Sequence, residues 1–353
     1  MTKVRNRMGV RCIGIGRPFA FLWLVCLAVG CRRAPEAPLV LTGEAQGTYY
    51  SVSYYDTQHR NLQPQIDSLL DEFDLSASLW VEESLLRRLN ANQTDSVDAL
   101  LADLLLLSQQ MSEYTDGAFD CRVGRMVQMW GFSFRQRQEP DSAELAALLA
   151  AAHCNVSLSD GHLIKEDTTT ELDFNAIAQG YAVDLLAAML DGLGIENYLI
   201  DVGGEVRGRG GKADGSPWRV GIERPAADRY SSPVVESVIA LHDASVVTSG
   251  SYRKYYERDG VRYSHTIDPT TGRPVQHSLL SVSVVEKQAW LADAMATAYM
   301  VMGLDSARAF IQAHKGGPGT GAVMFIYDDG DGNLCTDATP KFDELIIQNR
   351  HHI

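Results

Sequence analysis

Helix and strand signals occupy separate blocks of this sequence. Apolar residues with helical spacing dominate the first half, whereas runs of β-branched and aromatic residues dominate the second. Parallel strands need a long crossover between them, usually a helix, and such an alternation of strands and helices is not seen here. The pattern therefore predicts an α+β fold, in which a largely antiparallel sheet is flanked by helices.

The predicted helices have an apolar residue every three or four positions, and several begin at a capping residue. They are Leu62–Phe73, a helix capped by Ser96 or Asp98 that runs to Tyr114, a helix that begins at Asp141, a helix N-capped by Asn175, Leu291–Met302 and Ser306–His314. The predicted strands are Thr48–Tyr55, Tyr198–Val202, Trp218–Ile222, Val234–Leu241, Tyr263–Ile267, Leu280–Val285 and Ala322–Tyr327.

Two loops have the composition of ligand-binding loops but lack the required context. Gly208–Gly215 is rich in glycine, but no βαβ unit surrounds it, so we predict a hairpin tip. Asp328–Asn333 contains the acidic spacing of a calcium loop. Leu334 and Pro340, however, stand where such a loop needs a glycine and a bidentate glutamate. We therefore predict a hairpin turn there.

The N-terminus has the features of an export signal. Basic residues precede an apolar run of 11 residues, Phe19–Val29, which is shorter than the roughly 20 residues of a membrane-spanning helix. Small residues then lead to Cys31, as in a bacterial lipobox, although Ala28 replaces the usual leucine. We predict a signal peptide at 1–30, a tether at 31–40 that begins with a lipidated Cys31, and a folded body at 41–353.

The alternatives for the N-terminus are a plain cleaved signal and an uncleaved membrane anchor. With lipidation, the body would lie on the extracytoplasmic or periplasmic side of a bacterial cell membrane. Cys121, Cys154 and Cys335 then remain in the mature chain, and their odd number and wide spacing match neither a disulfide framework nor a zinc site. We predict that they are buried thiols.

The balance of charge limits the ligands that the chain can bind. It carries 31 Lys and Arg against 45 Asp and Glu, and removal of residues 1–30 changes the formal charge from −14 to about −19. Such an acidic protein is a poor partner for nucleic acid. We expect no nucleic-acid partner, and we expect a metal ion or backbone amides wherever a phosphate binds.

The helix at Leu291–Met302 carries a polar pair on an otherwise apolar face. Asp293 and Thr297 are four residues apart and therefore lie one turn from each other. Since a buried carboxylate needs a partner, and since a carboxylate with a hydroxyl suits Mg²⁺, the pair indicates a metal site. The alternative is that Asp293 caps a neighbouring helix while Thr297 hydrogen-bonds within its own.

A turn in the segment Ser264–Val275 places a histidine and an aspartate side by side. Pro269 supplies the fixed φ and Gly272 the positive φ of a turn that follows Asp268. His265 and Asp268 lie at the mouth of this turn, although a hairpin tip requires neither of them. The alternative is a solvated loop in which the histidine has no role.

Eight segments, taken in order, resemble the ApbE family of FAD:protein FMN transferases. They are Gly47–Val52, Ser78–Asn90, Thr115–Asp120 with Trp130–Phe132, Leu172–Asp184, Asp201–Val206, Thr248–Tyr252, His265–Gly272 and Asp293–Thr297. No single segment is specific, but the series covers nearly the whole mature chain. The resemblance implies an enzyme that splits FAD, joins FMN to a Thr or Ser hydroxyl of a partner protein and releases AMP.

The resemblance also assigns the site residues. It implies that Asp293, Thr297 and the carbonyl of Ala176 hold Mg²⁺, and that His265 is the base with Asp268 as its orienting group. The residues implied to line the FAD site are Gln46 through its backbone, Trp80, Ala118, Phe119, Asp120, Asp173, Gln179 and Ile267. Trp80 and Phe119 could supply the flat apolar wall that a flavin ring needs.

The chain departs from the family pattern in two places. Gln179 stands where many members have a lysine close to the substrate phosphates, and Cys121-Arg122 stands where Pro-Thr is common. Arg122 could supply the missing positive charge or face solvent. Two other functions stay open, a Mg²⁺-dependent FAD pyrophosphatase and a non-catalytic flavin-binding lipoprotein.

The chain has no Asp-x-x-Thr-Gly-Ala-Thr acceptor signature of its own. Any flavinylated Thr or Ser therefore lies on a partner protein. A subunit of a membrane redox complex is the acceptor that we expect.

Overall fold

The computed structural model describes residues 37–132, 141–225, 234–251, 255–258 and 261–349. The predicted signal peptide and Cys31 lie outside the described residues. The body forms one unit that begins at Ala37. Its first strand begins at Leu39, inside the stretch that the sequence assigned to the tether. No helix of the described ranges has the length and apolar character needed to span a bilayer.

The strands follow one another in the order β1 Leu39–Ala45, β2 Thr48–Tyr54, β3 Val156–Ser159, β4 His162–Lys165, β5 Tyr198–Val202, β6 Glu205–Arg209, β7 Trp218–Arg224, β8 Val234–Leu241, β9 Ala244–Gly250, β10 Tyr255–Arg258, β11 Val261–Ser264, β12 Ile267–Asp268, β13 Arg273–Pro274, β14 Leu279–Glu286, β15 Ala322–Asp328, β16 Leu334–Ala338 and β17 Ile346–Asn349. Eight of them form one sheet in the order β1-β2-β5-β6-β9-β14-β15-β16. Its neighbouring strands pair antiparallel, which confirms the prediction.

The helices are α1 Gln63–Ala77, α2 Leu85–Asn90, α3 Ala99–Tyr114, α4 Gly124–Met129, α5 Ser142–Ala152, α6 Ala178–Gly192, α7 Ala289–Met302, α8 Leu304–Ala313 and α9 Pro340–Asp343, with a 3₁₀ turn at Cys121–Val123. Two acidic caps are formed as expected. The Asp98 carboxylate accepts from the Leu101 N–H at 2.8 Å, and Asp141 does the same for Glu144. Of the two candidate caps of α3, Asp98 is therefore the correct one.

The large sheet has apolar side chains on both of its faces. On β15, Val323 and Phe325 belong to a core shared with α6 and α7, whereas Met324 and Ile326 belong to a second core. The second core also contains Trp218 and other residues of a smaller antiparallel sheet, which has the order β17-β8-β7. The fold is therefore layered, with helices on one side of the large sheet and the small sheet on the other.

Three loop predictions have different outcomes. Asp328–Asn333 is the hairpin turn between β15 and β16, as predicted. Gly208–Gly215 is not a hairpin tip, because β6 pairs with β5 and β9 and the chain then crosses to β7 in the small sheet. Asn175 is not an N-cap, because its N–H donates to the Asp173 carboxylate at 2.8 Å and α6 begins later, at Ala178.

The prediction that three cysteines are buried thiols is correct for one of them. Cys121 is a buried free thiol, but Cys154 and Cys335 are partly exposed.

Candidate functional site

Helices α6 and α7 touch at a glycine, and this contact sets the position of Asp293. The Gly180 N–H donates to Asp293 Oδ2 at 3.1 Å. A Cβ atom at Gly180 would collide with the Ala289 carbonyl and lie 2.9 Å from the Asp293 Cβ. Only glycine lets the two backbones approach this closely, so Gly180 fixes where the carboxylate lies.

A second carboxylate holds the start of α7. Asp184 of α6 accepts from the N–H groups of Ala289 and Trp290, at 3.1 and 3.0 Å, and pairs with Arg207 of β6. It therefore caps α7 from the neighbouring helix, because the first N–H groups of a helix have no partner of their own. Burial raises the pKa of Asp184 despite these favourable contacts. These contacts fix the start of α7 relative to both α6 and the large sheet.

Asp293 is a buried carboxylic acid that can accept a further ligand. Its residue is 5% exposed, and burial raises the pKa of its carboxyl group to about 7. Within the described ranges, its carboxylate accepts one hydrogen bond, from Gly180 to Oδ2, which leaves Oδ1 for another partner. Because burial disfavours the ionised form of a carboxyl group, a nearby cation would stabilise the Asp293 carboxylate.

Thr297 completes the polar face of α7. Its hydroxyl lies 3.2 Å from the Ser249 hydroxyl of β9 and does not hydrogen-bond within its own helix. The alternative given by the sequence is therefore half correct: Asp293 does cap α6, but Thr297 has its partner on the sheet.

The Ala176 carbonyl is also available. In a regular helix the Gly180 N–H would bond to the carbonyl four residues earlier, which belongs to Ala176. Here that N–H donates to Asp293 instead, and no residue of the described ranges donates to the Ala176 carbonyl. Ala176 O, Asp293 Oδ1 and the Thr297 hydroxyl are hard oxygen donors, and this set fits Mg²⁺. The described ranges contain no cluster of three His, Cys, Asp or Glu that could hold a metal in another way.

The turn after His265 has the predicted backbone. Gly272 has a φ of +66°, and its N–H donates to the Asp268 carbonyl at 2.8 Å. The Asp268 carboxylate accepts from the Thr270 N–H at 2.8 Å and from the Thr271 hydroxyl at 2.9 Å. These two bonds make Asp268 the group that closes the turn, and its role towards His265 stays a prediction.

Two aromatic residues that the sequence reasoning left without a role support this turn. The Trp130 indole N–H donates to the Gly272 carbonyl at 2.8 Å, and the Phe132 ring meets the His265 ring edge to face at 6.4 Å. Both residues come from the short Trp-Gly-Phe segment that formed part of the family resemblance. His265 is half-buried against this segment, so it is not a residue of a fully solvated loop.

The two aromatics predicted to face the flavin differ in exposure. Trp80 is 58% exposed, in a tight turn where the Ser78 hydroxyl accepts from its N–H at 3.0 Å. Phe119 is 2% exposed, with its ring in the core beneath the large sheet. Of the two rings predicted to form a flat apolar wall, that of Phe119 is enclosed by the core, and its role towards the flavin stays a prediction. Trp80 alone presents an accessible face.

Most of the other predicted FAD residues lie in loops between elements, whereas Ile267 begins the short strand β12. Gln46 has a φ of +53° at the tip between β1 and β2, and its amide is buried without a hydrogen bond in the described ranges. Asp173 and Ile267 are buried, whereas Ala118 is half-buried. The structure leaves the role of each of them towards FAD as a prediction.

Arg122 has partners within the protein. Its guanidinium pairs with Asp120 at 2.5 Å and donates to the Cys154 carbonyl at 3.0 Å. Asp120 therefore balances its charge here, and a role of Arg122 towards a phosphate stays a prediction.

Gln179 lies where three motif segments meet. A Cβ atom on Gly203 would lie 2.8 Å from its Nε2 atom and 2.7 Å from Thr48 Cγ2. The segments that contain Thr48, Gln179 and Gly203 are distant in sequence but adjacent here, and Gly203 has a φ of +62°. The glycine is needed both for this conformation and for the close approach.

Comparisons with known proteins show the family of the chain. The ApbE family model matches residues 46–319. A curated FAD:protein FMN transferase from Vibrio cholerae is 37% identical over 308 residues, which are 83% of this chain and 91% of the relative. The one from Escherichia coli is 34% identical over 353 residues, 94% of this chain and 98% of the relative.

Solved structures show the same likeness. The flavin transferase ApbE from Vibrio cholerae has a TM-score of 0.75 at 33% identity, over 88% of this chain and 100% of the other. The apo form of the Pseudomonas stutzeri flavinyl transferase ApbE has a TM-score of 0.76 at 34% identity, over 88% and 98%.

Proposed function

Because the chain belongs to the ApbE family, we propose that it is an FAD:protein FMN transferase that uses Mg²⁺. It takes FAD and a partner protein as substrates. A Thr or Ser hydroxyl oxygen of the partner forms a new bond to the FMN phosphorus, the bond between that phosphorus and the AMP oxygen breaks, and AMP leaves. The observation that carries the proposal is the buried Asp293 carboxylate at the α6–α7 contact, which the Gly180 N–H binds in place of the Ala176 carbonyl.

Three groups of this chain would hold the metal ion. Asp293 would supply a carboxylate oxygen, Thr297 a hydroxyl and Ala176 a carbonyl. The Gly180 N–H donates to Asp293 Oδ2 and not to the Ala176 carbonyl, so that carbonyl and Asp293 Oδ1 stay available. When bound there, Mg²⁺ neutralises charge on the pyrophosphate of FAD. A chain with an excess of acidic residues and a glutamine at position 179 has particular need of that charge.

His265 is the proposed general base. Its imidazole accepts the proton of the acceptor hydroxyl as that oxygen attacks phosphorus. The contact with Phe132 and the bond from Trp130 to Gly272 hold the ring and its turn in place. Asp268 shapes the turn through Thr270 and Thr271 and thereby sets the direction of the backbone that carries His265.

Trp80 is the proposed contact of the flavin ring, since its side chain is exposed on a tight turn. Trp80→Ala should weaken FAD binding by about 1–3 kcal/mol, as expected when a stacking partner is removed. The stability of the fold should change little, because the side chain is largely outside the core. A titration of flavin fluorescence measures the first effect and urea unfolding the second, and an unchanged affinity would remove Trp80 from the site.

The location and the partner are part of the same proposal. A lipidated Cys31 would anchor the body to a bacterial cell membrane on its periplasmic or extracytoplasmic side, and the acceptor would be a subunit of a membrane redox complex. Mass spectrometry of the mature N-terminus tests the anchor. An unmodified terminus at another residue would contradict it.

The decisive experiment combines the protein with FAD, Mg²⁺ and a candidate acceptor. Transfer predicts one AMP for each flavin bound covalently to the acceptor, seen by fluorescence of the denatured protein in a gel. Release of AMP without protein-bound flavin would indicate an FAD pyrophosphatase. Binding of FAD without AMP would indicate a non-catalytic flavin carrier.

A further inference from the structure

The Thr297 hydroxyl has its hydrogen-bond partner on the large sheet. Ser249 lies in β9, and its Oγ is 3.2 Å from Thr297 Oγ1. Both residues are half-buried. This is the hydrogen bond that the Thr297 hydroxyl makes within the described part of the chain, and either hydroxyl can be its donor.

The chemistry of a hydroxyl makes this orientation matter. A threonine hydroxyl has one proton and two lone pairs, and a hydroxyl that binds a cation does so through a lone pair. Its proton must then be donated to another acceptor. The usual acceptor on a helix is the carbonyl four residues earlier. Here Ser249 takes its place, and the proton can point away from Asp293.

We propose that Ser249 is a positioning residue of the metal site: its Oγ accepts the proton of Thr297 and so directs a Thr297 lone pair towards the ion that Asp293 and Ala176 also bind. This inference rests on the proposed function, because it presumes that the three oxygen donors hold Mg²⁺. Loss of a group that orients a metal ligand in this way typically costs about 10-fold to 100-fold in metal affinity.

The sheet provides a matched pair of hydroxyls for comparison. Ser249 is opposite Val282 in the register of β9 and β14, and the neighbouring position pairs Thr248 with Ser283. The hydroxyls of Thr248 and Ser283 lie 2.7 Å apart. Since successive side chains of a strand point to opposite faces, this second pair faces away from α7. The Thr248–Ser283 pair is therefore a hydroxyl–hydroxyl contact like that of Ser249 and Thr297, one residue along β9, but it does not reach Thr297.

The experiment is a titration of MgCl₂ into the full-length protein by calorimetry, first alone and then with FAD present. Ser249→Ala should raise the dissociation constant for Mg²⁺ by about 10-fold to 100-fold, the range seen when an orienting partner of a ligand is lost. Ser249→Thr keeps the hydroxyl and should restore most of the affinity. Ser283→Ala should leave the affinity unchanged, although it also removes one hydroxyl pair from the same sheet.

Thermal unfolding of the three variants separates binding from folding, because both alanine variants lose one hydrogen bond each. An Mg²⁺ affinity of Ser249→Ala equal to that of the wild type would overturn the inference and leave the proposed function intact. An equal loss in Ser283→Ala would also overturn it, since the effect would then belong to the sheet. Absence of Mg²⁺ binding by the wild type under both conditions would overturn the metal centre itself.

Discussion

The two halves of the candidate site are built in different ways. At the metal half, Asp293 is buried between two helices that are joined by backbone contact at Gly180 and by the Asp184 cap. At the other half, His265 is half-buried on a turn that is supported by side chains of the Trp-Gly-Phe segment. The metal half therefore depends on close backbone packing, whereas the histidine half depends on a few aromatic contacts.

This difference predicts which changes act on the whole site and which act on one step. A change at the metal half should disturb FAD binding, metal binding and chemistry together. A change at the turn should leave binding in place and affect only the attack by the hydroxyl. The following predictions test that division.

The largest effect is expected from Asp293→Ala. Loss of the carboxylate removes the charged ligand of the proposed metal site, so turnover should be abolished with either a hydroxyl or water as the acceptor. Mg²⁺-dependent FAD binding should weaken as well. AMP release and calorimetric titration measure the two effects, and AMP formation at the wild-type rate would show that the α7 carboxylate has no part in catalysis.

A smaller and more selective effect is expected from His265→Ala. The imidazole acts only on the attacking group, so FMN transfer should fall by about 10²–10⁴-fold, the usual range for a general base. Binding of FAD and Mg²⁺ should be retained. Transfer at the wild-type rate would mean that the turn carries no catalytic base, as in the alternative of a solvated loop.

The contact between the helices can be tested through Gly180→Ala. The added methyl group has no space between the Ala289 carbonyl and Asp293, so we expect a loss of about 1–3 kcal/mol in the free energy of unfolding. Displacement of Asp293 should also weaken Mg²⁺ binding. Urea denaturation and metal titration measure both quantities.

The same helix offers a control for Gly180→Ala. At Gly192, at the end of α6, a Cβ would have no atom of the described residues within 4 Å apart from its chain neighbours and the helix's own backbone. Gly192→Ala should therefore be neutral or stabilising by up to about 1 kcal/mol, because alanine loses less conformational entropy on folding. Equal losses in both variants would mean that the close helix contact is not the cause.

The sequence predicted much of the fold because its helices and strands are strongly patterned. The strand Val234–Leu241 was predicted with its observed bounds, and Asp98 was among the predicted caps. The errors lie where tertiary contacts decide. The chain after β6 leaves the large sheet, and α6 begins after Asn175 because Asp173 holds the preceding turn.

The sequence named candidate residues for the site but did not show how they are arranged. The spacing of Asp293 and Thr297 placed them on one helix face, which the structure bears out. No local pattern could show that Gly180 frees the Ala176 carbonyl, that Ser249 holds Thr297 or that Trp130 holds the turn. These contacts join segments far apart in sequence. An indole followed two residues later by a phenylalanine was a signal, but it gave no indication of what the two rings contact.

The smallest effect on the site, and the sharpest test of the histidine half, is expected from Trp130→Phe. The variant keeps an aromatic ring but removes the N–H that donates to the Gly272 carbonyl. The cost to stability should be about 1–3 kcal/mol, because the buried carbonyl is left without its partner.

Trp218→Phe is the matched control, because that indole is equally buried and donates to the Arg209 carbonyl at 2.9 Å in the second core. Urea denaturation should show similar losses for the two variants, whereas FMN transfer should fall only in Trp130→Phe, since only that indole holds the turn of His265. The Mg²⁺ affinity should stay at the wild-type value in both. If the two variants transfer FMN equally well, the turn does not need its aromatic support, and the contrast between the two halves of the site would have to be explained by burial alone.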